Sequence, residues 1–193
     1  LRELIPSKDK NGKNVYKESH DFEFNKIRYV ADLIPPKLLI NKYFEDEQKA
    51  IDELQSKLDS ASSELENFIE ENSGEDGLLE DAKNDKGNIS KKSIDDRLKI
   101  IKGKEDLYKD EIKVLKDCKK LIDAEAKAKI DLKIAVDKLT LAVFKKYPTL
   151  GIEDIKEIVI EDKWLKHISN QIKEEINRVT TSLANRIKTL EER

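Results

Sequence analysis

Between Lys37 and Asn72 apolar residues return at alternating spacings of three and four. One row holds Phe44, Ile51, Leu58 and Leu65. The other holds Ile40, Leu54, Ala61 and Phe68, with Glu47 as its exception. This heptad seam predicts a long helix that needs a partner along most of its length. Pro35-Pro36 opens the stretch and Gly74 closes it, a helix start and stop with a physical basis in fixed φ and free φ respectively. A second pattern runs from about Glu105 to Lys146. It takes in Leu107, Val114, Cys118, Leu121, Ala128, Leu132, Ala135, Leu139 and Ala142, with a neighbouring row of Leu115, Ile122, Val136 and Val143. The wide, alanine-bearing face predicts close approach to two neighbours. Tyr147-Pro148 ends it. The two stretches match in length and are joined by a glycine-marked tip, so they are expected to pair as an antiparallel hairpin.

A third stripe spans residues 162–193. Leu165, Ile168, Ile172, Ile176, Val179, Leu183, Ile187 and Leu190 follow gaps of 3, 4, 4, 3, 4, 4 and 3. The pattern repeats every eleven residues rather than seven, which predicts a nearly straight stripe that lies along a groove. Asp162 is the expected N-cap of this helix, which should end near Arg193. Residues 149–161 read as a connector with a short helix from Glu153 to Val159. The β-branched run Ile158-Val159-Ile160 reads as a brief extended piece. Residues 73–92 read as the tip of the hairpin, with Leu78-Leu79 packed on the rod's end. A short helix is expected from about Ser93, with Asp96 completing a capping-box-like pair.

Residues 1–36 read as an irregular tail or linker from a preceding catalytic domain. Asn11-Gly12 is a turn signal, and Asp21–Phe24 and Ile27–Val30 are possible short strands. The fold class read from these patterns is all-α: a long antiparallel helical hairpin plus a C-terminal long helix, with an irregular N-terminal segment. Residues 37–193 form the helical domain.

Composition agrees with that shape. Charged residues make up 41% of the 193 and aromatics 6%, which suits long solvent-rimmed helices better than a thick globular core. A net charge of −3 points to neither nucleic acid nor membrane. No run of eighteen apolar residues is present, so no membrane helix is expected, and no signal-peptide pattern opens the chain. A cytoplasmic protein is the natural reading. The chain lacks methionine altogether, including at Leu1, so a piece of a longer protein is expected.

Local charge is less even. Acids dominate from Glu64 to Asp81, and bases dominate from Lys83 to Lys104. The basic passage is the one nucleic-acid feature, with Lys91, Lys92 and Arg97 as possible DNA phosphate contacts. No aromatic residue interleaves it, which argues against base stacking. The two histidines, His20 and His167, lie far apart in sequence, and Cys118 is the lone cysteine on a helix seam. Metal ligation and thiol catalysis are therefore both weak readings beside plain packing. Trp164 reads as an anchor fixing the entry of the last helix, or as an interface hot spot.

Several segments, in order, resemble the C-terminal region of the methyltransferase subunit of type I restriction-modification systems. They are Asp32-Leu-Ile-Pro-Pro-Lys-Leu-Leu-Ile-Asn-Lys-Tyr-Phe and Gly74-Glu-Asp-Gly-Leu-Leu-Glu-Asp-Ala. With them go Arg97-Leu-Lys-Ile-Ile-Lys, Lys146-Tyr-Pro-Thr-Leu and Ile155-Lys-Glu-Ile-Val-Ile-Glu-Asp-Lys-Trp-Leu. The last is Arg178-Val-Thr-Thr-Ser-Leu-Ala-Asn-Arg-Ile-Lys-Thr-Leu-Glu-Glu-Arg. The resemblance covers about residues 32–193. Gly151 departs from the polar residue expected after Pro-Thr-Leu.

The resemblance implies a parent enzyme that transfers a methyl group from S-adenosylmethionine to adenine N6 in DNA, in the cytoplasm of a bacterium or archaeon. Two such subunits work with one specificity subunit, which reads the target. The family's Asn-Pro-Pro-aromatic motif is absent, because Pro35-Pro36 follows Ile34 and precedes Lys37. The glycine-bearing cofactor motif is absent too. The resemblance therefore implies a non-catalytic assembly region with no cofactor of its own, S-adenosylmethionine belonging to a catalytic domain outside these residues. Its partners would be the specificity subunit, DNA through the whole complex, and the restriction subunit as a further candidate, with no membrane. The interface residues expected are Trp164, Ile172, Ile176, Val179, Leu183 and Ile187. Two rivals stand beside this reading: a DNA-contacting arm built on the basic passage, and a generic coiled-coil tether.

Overall fold

The computed structural model describes residues 1–8, 14–16, 18–24, 26–74, 77–84, 87–104 and 106–191. The turn expected at Asn11-Gly12, and the helix ends expected at Glu105 and Arg193, lie outside them. Helix accounts for 72% of the structure and the strands are few and short, so the mostly helical class is the observed one. The chain forms two compact units. One comprises Leu1–Glu45 with Leu139–Arg193, the other Asp46–Lys138.

In the first unit, β1 (Arg2–Leu4), β5 (Ile27–Val30) and β4 (Phe22–Phe24) form a three-stranded antiparallel sheet in the order β1-β5-β4. A separate two-stranded ribbon pairs β2 (Ser7–Lys8) with β3 (Asn14–Val15). The two strands expected near residues 21–30 are thus present. Their aromatic side chains gather on the C-terminal turn of α4 (Lys109–Lys146). Phe24 stacks on Phe144 at 4.9 Å, and Phe22 meets Tyr147 edge-on at 5.6 Å. Tyr29 lies 5.1 Å from Phe144. Such pairs add specific geometry to the area they bury.

The Tyr147 hydroxyl donates to the Ile34 carbonyl at 2.7 Å. Burial pushes its ionisation above the ordinary tyrosine range. The fold therefore favours the neutral phenol. Its stabilisation is complete below the unfolded value near 10 and is lost as the pH rises above it. Alkaline unfolding followed by circular dichroism should accordingly lose part of its steepness above about pH 10 in Tyr147→Phe. At neutral pH that variant should cost about 1 kcal/mol for the lost hydrogen bond.

Pro36 occupies the first turn of α1 (Pro36–Tyr43), as its fixed φ suits. The rod expected over residues 37–72 is not continuous. Phe44 leaves the helical region at φ −136°, and α2 resumes over Glu45–Asn72. Periodicity could not show this break, because Phe44 keeps its place in the heptad. The cause is tertiary. Leu39 is fully buried, Lys146 sits 4.2 Å from the Tyr43 ring, and Lys42 pairs with Glu157 at 2.7 Å. These contacts fasten α1 inside the first unit.

In the second unit α2 pairs with α4 antiparallel, as the seams require. Ser62 donates to the Glu125 carboxylate at 3.1 Å, while Leu65, Phe68 and Ile69 pack against the buried cluster that holds Leu115 and Cys118 of α4. Ile51, Leu54, Leu58, Ala61, Leu65 and Phe68 are all half-buried, and Glu47 is exposed. On α4 the seam likewise follows the expected row, except at Leu107, which lies before the helix and is 81% exposed, and at Val136, which faces solvent.

The fully buried residues of this unit are not on the hairpin seam alone but at its tip. Leu79, Ala82, Ile94, Ile101, Leu115 and Cys118 form one cluster. Leu79 packs there as expected, whereas Leu78 is exposed. Gly77 lies in a tight turn, where a Cβ would come within 2.4 Å of the Asn72 carbonyl oxygen. Helix α3 (Lys91–Ile100) begins two residues before the expected Ser93. Its cap is Ser90, whose hydroxyl accepts from the Ser93 N–H at 3.2 Å while the Ser93 hydroxyl accepts from the Ser90 N–H at 2.9 Å. A serine therefore plays the reciprocal part expected of Asp96.

Candidate interaction surface on the terminal helix

After a 3₁₀ turn at Tyr147–Thr149, helix resumes at α5 (Ile152–Glu157), where the Asp154 carboxylate accepts from the Gly151 N–H at 3.0 Å. It continues without a break through a π-helical segment, Ile158–Leu165, into α6 (Lys166–Glu191). The extended piece expected at residues 158–160 is absent. Asp162 is not an N-cap either: it sits inside the helix. Its carboxylate accepts from Lys166 at 2.7 Å and from Lys42 at 3.5 Å, and the Lys166 bond holds it below the usual carboxylate range. Tertiary charge partners explain an acid that local pattern assigned to a helix start.

The π-helical segment has a packing consequence. Ile158 is fully buried in the first unit, and Lys163 donates to the Leu33 carbonyl at 2.7 Å. A wider helical turn rotates the residues that follow relative to an α-helical continuation. From Trp164, within the segment's last two residues, to Leu190 every residue is exposed. The stripe Leu165, Ile168, Ile172, Ile176, Val179, Leu183, Ile187 and Leu190 is 47% to 63% exposed. It is the longest uncovered apolar row among the described residues.

The structure thus places five of the expected interface residues, Ile172, Ile176, Val179, Leu183 and Ile187, on one uncovered face of one helix. Trp164 lies at its start, 56% exposed. It does not fix the helix entry by burial; Ile158 does. Trp164 instead lines a groove of about 690 Å³ with Pro35, Lys37, Leu38, Asn41 and His167. Leu165, Ile168 and Leu190 share the face and extend the expected set in both directions.

The basic passage is used differently. Lys91 pairs with Asp123 at 2.6 Å, and Lys119 pairs with Asp95. Arg97 lies against Glu111 at 2.6 Å and Asp81 at 2.7 Å, with its side chain only 15% exposed. These contacts clamp α3 along α4. A DNA phosphate at Arg97 would have to displace two carboxylates, which leaves exposed Lys92 as the least committed of the three expected contacts.

Among the described residues no three His, Cys, Asp or Glu side chains group to hold a metal ion. Cys118 is fully buried, and burial pushes its thiol pKa up, the opposite of what a nucleophile needs. No helix among the described residues is long and apolar enough to cross a membrane. The uncovered stripe of α6 is therefore the surface whose chemistry most needs a partner, and its sequence and fold carry that conclusion alone: the chain matches no protein-family model, no curated protein and no solved structure.

Proposed function

We propose that this chain is an assembly module whose terminal helix docks a helical partner by burying its apolar stripe. The observation that carries this reading is the exposure of Leu165, at the end of the π-helical segment, and of the apolar row through Leu190 on the 26-residue α6. An uncovered aliphatic row of that length is costly in water and is a mark of interaction sites. Charged residues along its edges set register and orientation more than affinity.

The resemblance to type I methyltransferase subunits supplies the identity of the partner in this reading. The chain joins an S-adenosylmethionine-dependent DNA adenine-N6 methyltransferase subunit to its specificity subunit, in a bacterial or archaeal cytoplasm. It binds no cofactor itself. DNA reaches it through the whole complex.

Co-purification with a type I specificity subunit tests the proposal. Leu183→Glu should weaken the complex by about 30-fold or more, as for a central interface anchor, and leave thermal unfolding unchanged at a concentration where the wild-type chain is monomeric. An unaltered complex would overturn the assignment of the surface. Calorimetric titration with S-adenosylmethionine should show no heat of binding; clear binding would overturn the non-catalytic reading.

A further inference from the structure

The stripe on α6 reads the same in both directions. Its gaps of 3, 4, 4, 3, 4, 4 and 3 form a palindrome centred between Ile176 and Val179. Laid antiparallel against a second copy, every apolar position therefore meets another. Leu165 faces Leu190, Ile168 faces Ile187, Ile172 faces Leu183, and Ile176 faces Val179, each twice about a two-fold axis. An eleven-residue repeat keeps the stripe straight enough to hold this match along the helix, which at about 1.5 Å per residue spans roughly 39 Å.

The edges of the stripe are compatible with themselves. In an antiparallel pair each edge meets the same edge of the other copy. On one edge Gln171 comes opposite Arg186, and Glu175 opposite Ser182. On the other, Ser169 comes opposite Ala184, and Lys173 opposite Thr180. Among these four pairs no like charges are opposed, and small residues let the backbones approach.

A parallel pair also matches apolar to apolar, so the stripe alone does not choose. Two further terms do. Antiparallel helices oppose their macrodipoles. A parallel pair also brings two copies of the body that buries Ile158 to the same end, within the 8–10 Å or so that separates packed helices.

We propose that the chain forms an antiparallel homodimer through α6, with Ile176 and Val179 at the two-fold axis. This holds whether or not the partner named above is the right one. A partner helix docking on the same stripe displaces the second copy, so assembly is an exchange rather than an addition.

Sedimentation equilibrium of the full chain tests it. The expected mass is twice 22.3 kDa, and Ile176→Glu should return the monomer with unchanged helix content. Cross-linking tests direction independently. A mixture of Ile172→Cys chains with Leu183→Cys chains should join by disulfide on mild oxidation, while neither joins to itself. Buried Cys118 stays out of the exchange. A monomeric wild-type chain overturns the proposal, and so does self-joining of Ile172→Cys, the signature of a parallel pair. A monomeric chain that still binds the specificity subunit would sink the dimer and leave the assembly reading standing.

Discussion

Leu115→Ala is expected to destabilise the chain by about 2–5 kcal/mol, while Ile172→Ala changes stability by less than about 0.5 kcal/mol. The two substitutions delete similar volumes from two helices. Leu115 is fully buried among Leu79, Ala82, Ile94, Ile101 and Cys118, with Leu65 and Phe68 of α2 against the cluster. Its loss leaves a cavity where α2, the tip and α4 converge, and that junction can collapse little without disturbing all of them. Ile172 is 56% exposed on α6, so its removal takes little from the folded chain. Urea unfolding of both variants, read at a concentration where the wild type is monomeric, checks the contrast. Equal destabilisation would mean that α6 packs on its own chain and would remove its free face.

The second large effect is expected at the clamp between α3 and α4. Glu111→Ala should cost about 3 kcal/mol, more than its hydrogen bonds alone would suggest. Glu111 is a buried charged residue, and it holds the Arg97 guanidinium at 2.6 Å and 3.3 Å. Without it Arg97 stays largely buried, answered by the exposed Asp81 and the Tyr108 ring 5.8 Å away. Removing one member of a buried ion pair strands the other charge, whereas replacing both by apolar side chains of similar size is often near neutral. The double variant Arg97→Met/Glu111→Leu should therefore recover most of the lost stability. A double variant as unstable as Glu111→Ala would mean that the charge pair itself holds α3 in place.

That clamp also bears on the rival reading of a DNA-contacting arm. The run of bases from Lys83 to Lys104 is plain in the sequence. What is not plain is that Lys91 and Arg97 answer Asp123 and Glu111, which lie 32 and 14 residues further along. A charge count sees one sign at a time, and only the fold shows which carboxylates return to meet it.

The same limit explains the other differences. The seam of α2 was legible because its burial follows a fixed period. Ile51, Leu54, Leu58, Ala61, Leu65 and Phe68 lie on one side of a helix whatever covers them. The interruption at Phe44 was not legible, since it arises from Lys42 and Tyr43 being held by residues more than a hundred positions away. Ile158-Val159-Ile160 favours strand by local propensity. Burial of Ile158 and the continuation of helix on both sides override it. Asp162 has the chemistry of a cap but spends it on Lys42 and Lys166.

The sequence by itself determined the helical class, the antiparallel pairing of the two long stretches and the spacing of the terminal stripe. Each is a repeat of three and four residues, and helix geometry converts that repeat directly into a face. Only the tertiary structure decided which faces find cover. It closed the stripes of α2 and α4 on each other, gathered the deepest core at Leu79, Ile94 and Leu115, and left Leu165 to Leu190 open. Burial depends on groups distant along the chain, so a stripe that must be covered is visible in one sequence, but whether the chain covers it is not.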